Sequence, residues 1–180
     1  GLGGRGRHYL TFSQREGLDI VAVCDNNEAR MAKVVSELGL TTTQTYTDVD
    51  SLMAAGLEAD ACVVALPDRL HYDAAMQAME RGWHVLLEKP MAPTREECIS
   101  LVETAERLDL HLVVCHVLRY APFFEKIKEI VDSAVLGDII NIQLRENVAY
   151  WHYAHSFVRG IFNNSENATP FILAKSSHDL

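Results

Sequence analysis

The chain has 180 residues, 48% of them apolar and 23% charged, and a formal net charge of −9. That apolar fraction supplies a buried core, which excludes a disordered chain and leaves room for one full domain and part of another. An acidic surface repels phosphate backbones and anionic lipid, so no nucleic-acid and no membrane partner is expected, and a small-molecule substrate is.

Four cysteines, Cys24, Cys62, Cys98 and Cys115, stand far apart without a Cys-x-x-Cys pair, which signals neither a zinc knuckle nor a redox dithiol. Reduced core thiols are expected instead, and with them a cytoplasmic location. No run approaches the roughly 18 apolar residues of a membrane helix, and no signal-peptide pattern is visible. The sequence opens on the first glycine of a motif that ordinarily follows a buried strand, and it stops directly after His178-Asp179. A fragment of a longer protein is therefore expected, its first strand missing and its second domain cut short.

Gly1-Leu2-Gly3-Gly4-Arg5-Gly6 has the G-x-G-x-x-G spacing of a dinucleotide-phosphate loop. Gly1 would allow the tight turn, Gly3 the approach of the backbone to a pyrophosphate, and Gly6 the close packing of helix on strand. Gly4 to Glu16 reads as the helix that follows, with its N-terminal N–H groups turned to the phosphates. A glycine-rich start equally suits a flexible arm, so the motif needs support from the rest of the chain.

Ile20 to Cys24 is an apolar run of strand length that ends in Asp25, about 20 positions after the glycines, where a carboxylate accepts the hydroxyls of an adenosine ribose. Asp25 would repel a 2′-phosphate and Asn26 adds no positive charge, which favours NAD over NADP. The alternative is that Asp25 caps the helix from Glu28 to Leu38. Thr41 to Tyr46 reads as a short strand, Asp48 to Ala55 as a helix, and Ala59 to Leu66 as a strand stopped by Pro67. Ala74, Ala75, Ala78 and Met79 form the apolar stripe of a helix over 68–81.

Trp83 to Leu87 gives a further strand, which delivers Glu88-Lys89-Pro90 to the mouth of a parallel sheet, where open α/β sheets place their ligands. Thr94-Arg95-Glu96-Glu97 has the form of a capping box for the next helix. His111 to Cys115 closes the series. Strands and helices alternate throughout, so the expected fold is α/β, a doubly wound parallel sheet.

From Pro122 the pattern changes. Phe123, Phe124, Ile127, Ile130 and Val131 mark an amphipathic helix ending near Gly137, and Ile140, Ile142 and Leu144 then alternate with polar residues as in a strand. This reads as the entrance to a second, α+β domain, with residues 1–118 forming the first domain and 119–180 the start of the second.

These residues together resemble the Gfo/Idh/MocA oxidoreductases, named for glucose-fructose oxidoreductase and inositol dehydrogenase. The matching elements are Gly1 to Gly6, Val23-Cys24-Asp25, Leu66-Pro67-Asp68 with His71, Glu88-Lys89-Pro90, Arg119-Tyr120, the turn at Leu136 to Ile139, and His178-Asp179. The resemblance implies a Rossmann domain followed by an α/β domain with a large open sheet, and NAD-dependent redox at a carbinol carbon of a sugar, polyol or cyclitol. It implies that Lys89 sits beside the nicotinamide, that Pro90 shapes the cofactor pocket, and that the full-length protein is a homo-oligomer. Many members carry an aspartate four residues before the catalytic histidine, where this chain has Ala174 followed by Lys175.

The expected chemistry follows from the residue types. Hydroxyl oxidation needs a base at the oxygen, a role that suits His178, and a cation beside the developing alkoxide, a role that suits Lys89. Bland alternatives stand beside them: a Lys89–Glu88 salt bridge, and an exposed His178. The expected cofactor-binding set is Gly1, Gly3, Gly4, Arg5, Gly6, Asp25, Pro67, His71, Glu88, Lys89 and Pro90, with His71 either bonding the cofactor or capping its helix. Arg119, Tyr120 and His155 are expected at the substrate. His152 and His155, three apart, lack an acidic or sulfur ligand beside them, so a polar-aromatic loop is expected in place of a metal site. A hydrolase or epimerase that retains NAD, and a non-catalytic NAD-binding regulator, remain as alternatives to the dehydrogenase.

Overall fold

The structure, a computed structural model, describes residues 1–145, 147–160, 162–164 and 169–177. The chain forms two compact units, Gly1–Val114 and Cys115–Leu180.

In the first unit helix α1 (Gly4–Arg15) is followed by strand β1 (Ala22–Cys24), α2 (Glu28–Glu37), β2 (Gln44–Tyr46), α3 (Val49–Ala54), β3 (Ala61–Val64), α4 (His71–Glu80), β4 (His84–Leu87), α5 (Arg95–Leu108) and β5 (Leu112–Val114). Each strand is shorter than its apolar run in the sequence. Polar side chains start α2, α3 and α5. Asn27 accepts from the Arg30 amide, Asp48 accepts from the Ser51 amide, and the expected capping box closes between Thr94 and Glu97. Capping of α2 thus falls to Asn27, and Asp25 is left for another role. Residues 68–70 form a 3-10 turn ahead of α4, so that helix begins at His71 and not at Asp68.

All strand pairs are parallel. β1 pairs with β2, while β3, β4 and β5 form a second sheet in that order. These are the 3-2 and 4-5-6 halves of a doubly wound order. Among the described residues no ladder joins the two halves; Gly1 and Leu2 lie between their carboxyl ends, Leu2 against Asp25 and Gly1 against Ala65. The larger core sits under the three-stranded sheet, where Ala75, Ala78 and Met79 of α4 and Leu101 of α5 pack with Val85 and Leu87. Leu2, Val23, Met31 and Val34 form a smaller core under β1. Alanines on α4 allow the close approach of helix to sheet, because they contribute no bulk at the contact.

His71 ties two loops together. Its ring is fully buried, with Nδ1 2.8 Å from the Pro90 carbonyl oxygen and Nε2 2.9 Å from that of Leu66. The residues after β3 and those after β4 are thereby fixed to one side chain.

The second unit contains a 3-10 turn (Val117–Tyr120), α6 (Pro122–Asp132), α7 (Tyr150–Tyr153), a π-helical turn (Ala154–Val158) and α8 (Phe171–Ser176). Pro122 opens α6 as expected, but the helix stops at Asp132 and Ala134 turns left-handed at φ 54°, short of Gly137. The strand expected over Ile140, Ile142 and Leu144 is absent. Residues 139–145 pair with no strand among the described residues, and Ile140 is 96% exposed. Alternation of side chains gives a segment a face but no ladder partner, and without one its backbone groups turn to water. Tyr153 stacks on Phe157, and Phe171 meets both rings edge-on, at centroid distances of 4.9 to 5.6 Å.

Two expectations follow. Among the described residues β1 and β3 each pair on one side only, so a polypeptide of these 180 residues should self-associate or melt without cooperativity; a monomeric, reversible, cooperative melt by calorimetry would refute this. In the full-length protein, His71→Phe keeps the ring volume but removes the ring N–H that a neutral imidazole donates to one of the two facing carbonyls. Urea denaturation should show a loss of about 1–3 kcal/mol, and no loss would mean that the clamp is dispensable.

Candidate functional site

The glycine-rich segment is shaped by close contact. A Cβ on Gly1 would lie 2.3 Å from the Ala65 carbonyl oxygen, and one on Gly6 would lie 1.8 Å from the Gly1 carbonyl oxygen. No side chain fits at either position. Gly3 and Gly4 have open space where a Cβ would stand. Gly3 is also the N-cap of α1, with no side-chain capping bond and no acid in the first turn. Several N–H groups of that 12-residue helix therefore lack an intrahelical acceptor and carry the positive end of its dipole. This end of α1 has the attributes of a phosphate cradle.

Asp25 stands at the carboxyl end of β1 with its side chain 3% exposed. Its Oδ2 accepts from the Leu2 amide at 2.6 Å and from Arg30 Nε at 3.0 Å; its Oδ1 accepts from the Asn27 amide at 2.8 Å and from Arg30 Nη2 at 2.6 Å. Burial pushes the carboxyl pKa upward, but the hydrogen bonds from Arg30, Leu2 and Asn27 outweigh it and hold the group below its ordinary value. The contribution of this ionised group to stability is present above the unfolded carboxyl pKa and is lost as pH falls through the lowered one.

Glu88 is the counterpart at the end of β4. Its Oε1 accepts a 2.5 Å hydrogen bond from the Tyr9 hydroxyl on α1 and lies 3.8 Å from Arg5 Nε; its Oε2 accepts from the Lys89 amide at 3.0 Å. Glu88, a residue 7% exposed, links α1 to the loop that carries Lys89. Lys89 is half-buried, and the Lys89–Pro90 peptide is cis. Pro67 ends the β3 segment on the same side of the sheet. Both ring nitrogens of His71 lie within hydrogen-bond distance of backbone carbonyl oxygens, and a neutral ring donates to one of them, so the ring acts as an internal clamp.

In the second unit, Arg119 and the 72% exposed Tyr120 lie on the 3-10 turn, and His155 is exposed on the π-helical turn. His152 Nε2 lies 3.0 Å from Lys175 Nζ. His178 lies outside the described residues. Among those described, no three metal-ligating side chains converge.

Three features were missed in the sequence: the Arg30 fork on Asp25, the Tyr9–Glu88 bond and the two-sided engagement of His71. A signal existed for the first, since Arg30 falls in the opening turn of the helix that follows Asp25. The other two join residues 79 and 19 positions apart and have no local pattern. The burial of Cys62 raises its thiol pKa to about 11, as expected of a core cysteine.

Comparison with known proteins places this arrangement. The chain is 30% identical over 132 residues to the D-glucoside 3-dehydrogenase of Escherichia coli K12, a match covering 73% of the chain and 37% of that protein. It is 32% identical over 149 residues to the alpha-N-acetylgalactosaminidase of Bacteroides fragilis, covering 79% and 35%. The chain thus spans about two fifths of the length of the curated relatives it matches. Its fold superposes on the WlbA dehydrogenase of Chromobacterium violaceum, solved with NADH and UDP-GlcNAcA, with a TM-score of 0.69 at 23% identity, covering 76% of this chain and 39% of that one. Residues 1–116 match the model of the oxidoreductase family with an NAD-binding Rossmann fold, and the chain belongs to that family, the Gfo/Idh/MocA oxidoreductases.

Proposed function

We propose that the whole protein is a NAD-dependent oxidoreductase acting at a carbinol carbon of a sugar, polyol or cyclitol. The observation that carries this reading is the bond from Tyr9 to Glu88, which ties the uncapped N-terminus of α1 to the loop bearing Lys89. Phosphate-binding groups and a cation thereby share one end of the sheet, the end where open α/β folds bind ligands.

The residues present fit a dinucleotide. In this reading the Gly3 and Gly4 amides hold the pyrophosphate, with Gly1, Gly6 and Arg5 shaping the loop, and Asp25 receives the adenosine ribose. Pro67 and Pro90 wall the nicotinamide end. A bound nicotinamide supplies the hydride acceptor. Lys89 neutralises charge on the substrate oxygen as its proton departs, and His178, at its place in the sequence, is the base that takes the proton. Arg119, Tyr120 and His155 are assigned to the substrate. The same reading divides the chain at residues 118 and 119 and places a full-length homo-oligomer in the cytoplasm.

A second reading has the same hydride site serving a hydrolase or epimerase that retains its NAD, and the identity to a galactosaminidase favours keeping it. A full-length Lys89→Met variant tests both. The neutral side chain removes the charge at similar size, so NAD affinity should stay near wild type while turnover falls about 10²- to 10³-fold. The assay follows NADH absorbance and product together over a panel of sugars, polyols and cyclitols. NADH accumulation supports the dehydrogenase, and product without NADH supports the retained-cofactor enzyme. A wild-type protein that binds NAD but forms neither is a regulator, and unchanged turnover in the variant would remove Lys89 from the chemistry.

A further inference from the structure

We infer that Arg30 sets the cofactor choice of this site and lets it take NADP as well as NAD, an inference that rests on the dinucleotide reading above. A carboxylate offers about four lone-pair sites, and here all four are engaged, two by backbone amides and two by the guanidinium of Arg30. A ribose hydroxyl that is to donate to Asp25 must displace one of these donors.

The two amides cannot leave. Leu2 is buried in the small core beneath β1, and Asn27 is the N-cap of α2, its side chain bonded to the Arg30 amide. The guanidinium can move, because the Arg30 side chain is 43% exposed and its backbone is anchored independently in the first turn of α2. The incoming ribose therefore takes over the place of Arg30 on Asp25, and the displaced fork stays within side-chain reach of the 2′ position.

That displacement decides what the 2′ position tolerates. Asp25 alone would repel a 2′-phosphate. With Arg30 beside it the pair sums to no net charge, and the guanidinium is a planar fork suited to two phosphate oxygens. The N-terminus of the ten-residue α2 adds partial positive charge at the same place. Glu28, the one acid in that first turn, is exposed, where solvent and salt screen it. Asp25 and Asn26 alone present only repulsion, and the cation stands five residues on. NAD then remains the tighter ligand, because two hydroxyls suit Asp25, but NADP is accepted.

The test is titration of the full-length protein with NAD and with NADP by calorimetry, for the wild type, Arg30→Met and Arg30→Lys, with circular dichroism to confirm folding of each. The wild type should bind both cofactors, NAD more tightly. Arg30→Met should weaken NADP and free Asp25 for the ribose, shifting the affinity ratio at least about tenfold toward NAD, as for any single charged hydrogen-bonded contact to phosphate. Arg30→Lys, which keeps the charge without the fork, should recover part of that shift. An unchanged ratio in Arg30→Met, or wild-type binding of NAD with none of NADP, overturns the role of Arg30 while leaving the dinucleotide reading in place. Failure of the wild type to bind either cofactor overturns both.

Discussion

Two carboxylates hold the glycine-rich segment, and the rest of the candidate site depends on them. Asp25 receives the Leu2 amide at one strand end and Glu88 receives the Tyr9 hydroxyl at another. Between these anchors Gly1 and Gly6 approach one another and Ala65 at distances no side chain permits. The consequence is a helix N-terminus presented without a cap, at the same end of the sheet as Lys89. Both anchors are buried charges, costly to leave unpaired, so each comes with a cation: Arg30 for Asp25, Arg5 for Glu88.

The two cations differ in what they can do. Arg5 lies 3.8 Å from Glu88 with its side chain 59% exposed, a loose pair of small energetic weight. Arg30 grips Asp25 with two nitrogens, and this contact together with two amides overcomes the burial of the carboxyl group. The pair at Asp25 is thus firm and the pair at Glu88 loose.

Elements set by local chemistry were legible in the sequence, and elements set by distant partners were not. The capping box at Thr94, the alanine stripe of α4 and the alternation of strands with helices each rest on neighbours within a few residues, and each appears in the structure. The segment at Ile140, Ile142 and Leu144 has the right alternation for a strand, yet a strand is a relation between two segments and the described residues contain no partner for it. His71 shows the same limit within the site. Its position ahead of the α4 stripe suggested a cap or a ligand contact, and only the fold brings the Leu66 and Pro90 carbonyls to its two nitrogens.

Backbone groups do most of the holding here. The side chains of Asp25, Glu88 and His71 bond the amides of Leu2, Asn27 and Lys89 and the carbonyls of Leu66 and Pro90. Backbone partners survive substitution of the side chains that carry them, so Leu2, Asn27 or Leu66 can change without loss of these particular bonds. Gly1 and Gly6 cannot change, because there the constraint is the space itself. A frame of this kind keeps a sheet end constant while the surrounding side chains vary, and this is the physical condition under which one fold hosts different chemistries.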